Sequence, residues 1–244
     1  MNKCILITGA SSEVGLQFIR KEEKCFKHIL AHYCHQSDEL EKLRQELGEK
    51  LELIQADFTS YDSTKWMAYK IRNSKNLPDS ILHLPSNKYH NNKFHKLTWE
   101  NYNQSLNIQV RSITLILQEL LPYMVKNKYG RIVFLLSSCT DGIAPKYLSD
   151  YVTAKYALLG LMRTLSSEYA GKGIAINAVS PGMMETKLLN ETSELIIQQN
   201  AMANPNGRNI RVEEILPAVS LFLSETGEML TGQNLIISGG GYRN

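Results

Sequence analysis

Cysteine is scarce and unpatterned in this chain. Its four cysteines, Cys4, Cys25, Cys34 and Cys139, form no CxxC pair. In a chain of 244 residues that excludes a disulfide-stapled scaffold and points to reduced thiols and a cytoplasmic location. Long apolar runs are missing too: none approaches the roughly 18 residues of a membrane span. The opening MNKCILITGA meets a glycine too soon for the apolar core of a secretory signal. Charge of one sign is also lacking. Lys plus Arg is 27 against Asp plus Glu 24, a net +3, which argues against nucleic acid or an anionic membrane as partner. There is no internal repeat, low-complexity tract or Pro/Gly/Ser-rich linker. What remains is an ordinary globular composition, 43% hydrophobic and 21% charged, sufficient for a core. The length suits one α/β domain over residues 1–244.

Short apolar runs alternate with longer helical ones. Strands are expected at 3–8, 28–34, 51–55, 80–84, 131–136, 175–179 and 233–237. Helices are expected at 12–24, 38–47, 64–73, 99–125, 151–170 and 212–223. Apolar strands alternating with helices mean a parallel sheet covered on both faces. Right-handed crossovers then give a Rossmann-like, doubly wound, seven-stranded α/β sheet. Only 183–211 lacks a clean pattern between strands, and such a segment near the end of an α/β sheet reads as a lid over a site.

The first strand runs into Thr8-Gly9-Ala10-Ser11-Ser12-Glu13-Val14-Gly15. A glycine turn at the first βα junction lets the backbone approach a pyrophosphate, and the following helix N-terminus offers N–H donors. The Ser pair can cap that helix or bond phosphate. Further along, Tyr151 and Lys155 are spaced i, i+4 and share one helix face. A free phenol, with its pKa near 10, is a poor acid at neutral pH. A nearby ammonium lowers that value and suits the pair to proton exchange with a carbonyl or alcohol oxygen. On its own the spacing is also that of an amphipathic helix with a snorkelling lysine. His28, His32 and His35, with Cys25 and Cys34, match no metal-ligand spacing, and strand alternation splits them between faces, so no metal site is expected.

Together, TGASSEVG, Ser138 thirteen residues before Tyr151, YVTAK and Ser180-Pro181-Gly182 resemble the short-chain dehydrogenase/reductase family in its roughly 250-residue branch. The similarity runs from Lys3 to Gly241. It implies a catalytic tetrad of Asn107, Ser138, Tyr151 and Lys155. Ser138 would stabilise charge on the substrate oxygen, Ser137 standing one residue off the family spacing, and Asn107 would hold a water that links Lys155 to solvent. It implies dinucleotide contacts from Gly9, Ser11, Ser12, Val14 and Gly15 at the phosphates, and from Tyr33 and His35 at the ribose. Asp57 and Phe58 would flank the adenine, with Leu84, Pro85 and Ser86 along the passage. Tyr151 and Lys155 also border the cofactor, and Pro181, Gly182, Met184 and Thr186 hold the nicotinamide end.

Two departures stand out. Glu13 replaces a family glycine and brings a carboxylate towards the pyrophosphate. His83-Leu84-Pro85-Ser86 replaces Asn-Asn-Ala-Gly. At the end of the second strand, Tyr33 stands where NAD enzymes carry Asp, which points to NADP(H) over NAD(H), although no Arg or Lys occupies the spot. The resemblance implies an NAD(P)(H)-dependent oxidoreductase acting on a ketone or secondary alcohol, nearest in pattern to 3-oxoacyl-acyl-carrier-protein reductases. Sugar, polyol and steroid dehydrogenases share the motifs, whereas enoyl reductases of this fold space Tyr and Lys more widely. Lys128 and Lys172 are the basic residues placed to meet an acidic carrier protein. A homotetramer or homodimer is implied by kinship. The competing reading is a non-catalytic subunit that has lost cofactor binding through the two altered motifs.

Overall fold

The computed structural model describes residues 3–190 and 192–241. Seven strands form one sheet in the order β3-β2-β1-β4-β5-β6-β7, every neighbouring pair parallel. They are β1 (Cys4–Thr8), β2 (His28–Tyr33), β3 (Leu51–Gln55), β4 (Ser80–His83), β5 (Gly130–Leu135), β6 (Ile174–Pro181) and β7 (Asn234–Ile237). The helices are α1 (Glu13–Glu22), α2 (Asp38–Leu47), α3 (Tyr61–Arg72), α4 (Trp99–Leu106), α5 (Ser112–Asn127), α6 (Ser149–Glu168), α7 (Glu194–Ala203) and α8 (Val212–Leu223).

Strand alternation divides the core. Leu6, Leu30, Ile81, Phe134 and Ile176 face α3, α5 and α6 in one buried cluster. Ile5, Ile7, Leu82, Val133 and Val179 face α1 and α8 in the other. Because both faces are covered, the central strands carry apolar side chains in succession and show no polar alternation. The order reverses between β1 and β4, so a crevice opens beyond their carboxyl ends, where α/β sheets bind ligands.

The helix expected over 99–125 is interrupted. Asn107–Arg111 forms one π-helical turn between α4 and α5, in which the Ser112 N–H reaches the Asn107 carbonyl. Ser112 and Thr114 hydroxyls also bond the carbonyls four residues back, at 2.6 and 2.8 Å, a competition that distorts helices. Single π turns of this kind gather at functional sites. α6 begins two residues before its expected start, so Asp150 lies inside its first turn. The unpatterned segment after β6 contains a 3₁₀ turn at Lys187–Leu189 and then α7.

Candidate active site

A cavity of about 1320 Å³ lies along the carboxyl ends of the strands. The glycine turn forms one end. Gly9 has φ +73°, and a Cβ there would stand 3.3 Å from the Pro85 nitrogen, so the turn needs glycine both for its backbone and for its contact with the β4 end. Ser12 caps α1 by accepting from the Gly15 N–H at 3.2 Å. Gly9, Ser11, Ser12 and Val14 line the cavity. Gly15 does not. A Cβ at Gly15 would lie 2.5 Å from the Ala10 carbonyl oxygen, so this glycine lets α1 close against the turn.

Glu13 lines the cavity and accepts from the Lys187 backbone N–H at 3.2 Å. The carboxylate therefore ties the start of α1 to the segment after β6, an acid at a helix N-terminus where the dipole favours it.

The β2 end differs from expectation. His32, Cys34 and His35 line the cavity, and Tyr33 does not. Side chains alternate along a strand, and Tyr33 packs with the α1–α8 cluster on the other face. His32 is the residue that sequence reasoning passed over. Its Nδ1 accepts from the Gly9 N–H at 3.0 Å, and its Nε2 donates to the Ala56 carbonyl at 3.1 Å. Its ring stacks on Phe58 at 3.9 Å and 7°. Burial pushes the imidazole down to about 4, so it is neutral near pH 7. The signal was available, since His32 alternates with Tyr33 and must share a face with Cys34.

Asp57 and Phe58 line the cavity. Asp57 Oδ1 also accepts from the Thr59 N–H and hydroxyl, both at 2.8 Å, closing a strand-end turn. Leu84, Pro85 and Ser86 line the middle of the cavity. His83 lies beneath them, bonded to the Thr8 hydroxyl at 2.8 Å and to the Gln109 carbonyl at 2.9 Å. Burial pushes His83 down to about 3. It thus works as a neutral donor and acceptor joining β1, β4 and the π turn.

The expected tetrad is only partly assembled. Tyr151 and Lys155 share the inner face of α6, 6% and 2% exposed, and both line the cavity. Lys155 Nζ stands 5.5 Å from the centre of the Tyr151 ring and donates to the Leu135 carbonyl at 2.8 Å. Burial pushes Lys155 down to about 8. It pushes the Tyr151 phenol well above its ordinary value, with Tyr89 and Cys139 acting in the same direction. Burial dominates, the expected lowering by Lys155 is not seen, and the phenol is protonated near neutral pH.

Ser137 is the serine that acts on the Tyr151 phenol, in the lowering direction. Ser138, the expected partner, begins a 3₁₀ turn (Ser138–Thr140) and lines the cavity beside Ser137. Asn107 does not reach the cavity. The π turn changes the helix face, and Gln109 is the fully buried amide there. Its Nε2 donates to Asn87 Oδ1 at 3.1 Å, and its Oε1 is buried without a partner.

Pro181, Gly182, Met184 and Thr186 line the far end, with Met183 and Leu188 beside them. Beyond them Asn200, Ala203, Asn204 and Pro205 of the same connection line the cavity as well. Asn204 and Asn206 donate to the Ser238 and Gly239 carbonyls at 2.9 and 2.8 Å, fastening the segment to the turn that follows β7. Among the described residues no group of three or more His, Cys, Asp or Glu side chains is placed to hold a metal ion. Among them, too, no helix is long and apolar enough to cross a membrane.

A turn of small residues at a helix N-terminus, with a buried Tyr–Lys pair in the same cavity, is the arrangement of one oxidoreductase class. A family model described as enoyl-(acyl carrier protein) reductase matches residues 25–242. The uncharacterized oxidoreductase YmfI of Bacillus subtilis (strain 168) is 32% identical over 98% of this chain and 99% of its own length. The chain belongs to the short-chain dehydrogenase/reductase family and is an oxidoreductase of it. A 3-oxoacyl-[acyl-carrier-protein] reductase, FabG of Staphylococcus epidermidis (strain ATCC 35984), is 24% identical over 99% of this chain and all of its own. In fold the chain is similar to a gluconate 5-dehydrogenase from Burkholderia cenocepacia J2315, solved with NADP and tartrate. That similarity has a TM-score of 0.87 at 18% identity and covers 98% and 94% of the two chains.

Proposed function

We propose that the protein is a nicotinamide-dependent ketoreductase, interconverting a ketone and a secondary alcohol. The observation that carries this reading is the placement of Tyr151 and Lys155 in the same cavity as the Gly9 turn. The cradle suits a dinucleotide: glycine at +73° in the turn, the α1 N-terminus beside it, and an open trough of about 1320 Å³ reaching the Tyr–Lys pair. Ser11, Ser12 and Val14 would meet the phosphates, His35, Asp57 and Phe58 the adenosine half, and Pro181, Gly182, Met184 and Thr186 the nicotinamide. Such a cofactor, when bound, supplies or takes the hydride at the carbonyl carbon.

The chain supplies the rest. In the reducing direction the Tyr151 hydroxyl gives its proton to the carbonyl oxygen as the C=O electron pair moves onto it. We assign the oxygen-polarising hydrogen bond to Ser137, which lines the cavity and acts on the Tyr151 phenol. The Lys155 ammonium beside the ring favours the phenolate left behind. The helix-amide role passes from Asn107 to Gln109, whose buried Oε1 lacks a protein partner.

NADP(H) is favoured over NAD(H), because Cys34 and His35 face the cavity at the β2 end and bring no carboxylate to repel a 2′-phosphate. The substrate is a small carbonyl or alcohol, with 3-oxoacyl thioesters first among the classes to examine. The likeness to FabG supports that choice, as does the exposure of Lys128 and Lys172, where an acidic carrier protein would dock. A homotetramer or homodimer and a cytoplasmic location complete the proposal.

The test is a cofactor-oxidation screen with both NADPH and NADH over 3-oxoacyl thioesters, sugars, steroids and simple ketones, alongside fluorescence titration of each cofactor. Turnover of at least one carbonyl class, with NADPH bound more tightly, is expected. Absence of binding by either cofactor at millimolar concentration overturns the reading and favours a non-catalytic subunit.

A further inference from the structure

A second, smaller cavity lies at the amino ends of the strands, across the sheet from the candidate active site. It measures about 140 Å³, room for about four waters. Lys3 lines it from just before β1, Lys27 and His28 from the start of β2, Lys75 and Asn76 from the connection between α3 and β4, and Tyr123 from α5. Among the described residues no aspartate or glutamate lines it. In a chain with 27 basic and 24 acidic side chains, three lysines and a histidine around one small cavity concentrate charge of one sign.

The carboxylates of this region stand outside the wall and are engaged elsewhere. Glu225 Oε1 lies 3.1 Å from Lys3 Nζ, and that bond raises the ammonium above its ordinary value. Glu52 Oε2 lies 3.3 Å from His28 Nε2. Asp79 Oδ1 accepts from the Ser80 hydroxyl at 3.0 Å. The Cys4 thiol, also in the wall, donates to the Asn76 carbonyl at 3.4 Å. Burial pushes that thiol up to about 12, so it adds no negative charge. Lys27 and Lys75, exposed at the mouth, have no ion-pair partner among the described residues. The Asn76 amide and the hydroxyl of the half-buried Tyr123 make no hydrogen bond among them either.

Two ammonium groups, an amide and a phenol thus line one small cavity with their donors uncommitted. Like charges around a cavity repel, and an anion between them turns that repulsion into attraction. Lysine binds phosphate as a point charge, and hydrogen bonds to a charged oxygen are the strong ones. A tetrahedral oxyanion presents acceptors in several directions and so can meet donors that come from β2, the α3–β4 connection and α5. A planar carboxylate presents them in one plane. We propose that this cavity is a binding site for a phosphate group, inorganic phosphate or the phosphate of a small monoester, held by Lys27, Lys75, Asn76 and Tyr123. The ion ties together three elements at the end of β1 opposite the Gly9 turn, so it acts on stability and takes no part in the chemistry. The proposal is independent of the ketoreductase reading.

The test is calorimetric titration of the full-length chain with sodium phosphate at fixed ionic strength, beside glycerol 3-phosphate, acetate and chloride. Phosphate is expected to bind and to raise the urea midpoint as the site fills. Lys27→Gln and Lys75→Gln should each weaken it about tenfold or more, while Lys75→Arg stays within about threefold. Lys24→Gln, at an exposed lysine outside the wall, should change nothing. Glycerol 3-phosphate bound as well as phosphate identifies a monoester as the ligand, and much weaker binding identifies the free ion. The proposal is overturned by absence of binding at millimolar phosphate, or by acetate or chloride binding as tightly. Phosphate that NADPH displaces and that ignores both lysine variants sits at the Gly9 turn, which also overturns it. So does a loss of stability in the variants that is the same with and without phosphate, since the lysines would then only offset the carboxyl end of α3.

Discussion

The backbone N–H of Gly9 donates to Nδ1 of His32 across 3.0 Å, joining the glycine turn after β1 to the second strand. The other ring nitrogen is committed to the Ala56 carbonyl, and the ring face to Phe58. One neutral imidazole therefore fixes the turn and the cavity wall at once. His32→Leu removes the acceptor and strands the Gly9 amide. A loss of about 1–3 kcal/mol in folding stability is expected, together with weaker binding of NADPH. Urea denaturation and cofactor fluorescence titration read the two effects. An unchanged midpoint and affinity would show that the bond is incidental.

Acid should unfold the protein through its buried histidines. His32 and His83 are held neutral, near 4 and 3, by burial, against about 6.5 in an unfolded chain. Their folded values are depressed, so the unfolded state takes up protons first as pH falls. The stability they contribute is complete above about pH 6.5 and drains away as pH falls towards 4 and 3. Between pH 7 and pH 5 the two together account for about 4 kcal/mol. Denaturation curves at the two pH values check the slope, and in His32→Leu about half of it should disappear.

The choice between two adjacent serines is open to a direct comparison. Ser137 is the one that acts on the Tyr151 phenol. Ser137→Ala should lower kcat by about 10²–10³, the usual loss of one oxyanion donor, while Ser138→Ala costs less than about tenfold. Tyr151→Phe should abolish most turnover and leave cofactor binding in place, since it removes an oxygen and little volume. Steady-state kinetics on any substrate found in the screen decides. The reverse order for the two serines would restore Ser138 to the role.

Glu13 places a carboxylate in the cavity at the start of α1, held by the Lys187 N–H. Glu13→Gln keeps an acceptor for that N–H and removes the charge. NADPH should bind about threefold more tightly, and the gain should shrink at high ionic strength as the repulsion is screened. Affinity that is unchanged at low salt would mean that the carboxylate does not face the phosphates.

Much of this architecture is legible without coordinates. Periodicity alone separates apolar strands from amphipathic helices. The stretches 38–47, 51–55 and 212–223 are helix, strand and helix at the expected bounds. The glycine turn and the i, i+4 Tyr–Lys pair are local patterns, so their spacing determines their geometry wherever the chain carries them. Residues whose role depends on what lies opposite are another matter. Tyr33 and Cys34 are neighbours in sequence, and which of them faces the cavity follows from how β2 registers against β1 and β3. A one-residue difference reverses the face of a strand. In the same way the π turn, not the local run SLNIQV, decides that Gln109 and not Asn107 points inward.

The reach of Tyr89 and His90 to α6 lies further still beyond sequence. Asp150 is sixty residues from His90 along the chain, and nothing local to either predicts the pair. The sequence by itself determined the sheet, the family and the Tyr–Lys spacing, because these rest on short-range spacing and hydrophobic period. Tertiary structure alone decided which side chains of separate crossovers gather around Tyr151 and Lys155. Those contacts join separate crossovers, and only the packing of the sheet and its helices brings their side chains within hydrogen-bonding distance.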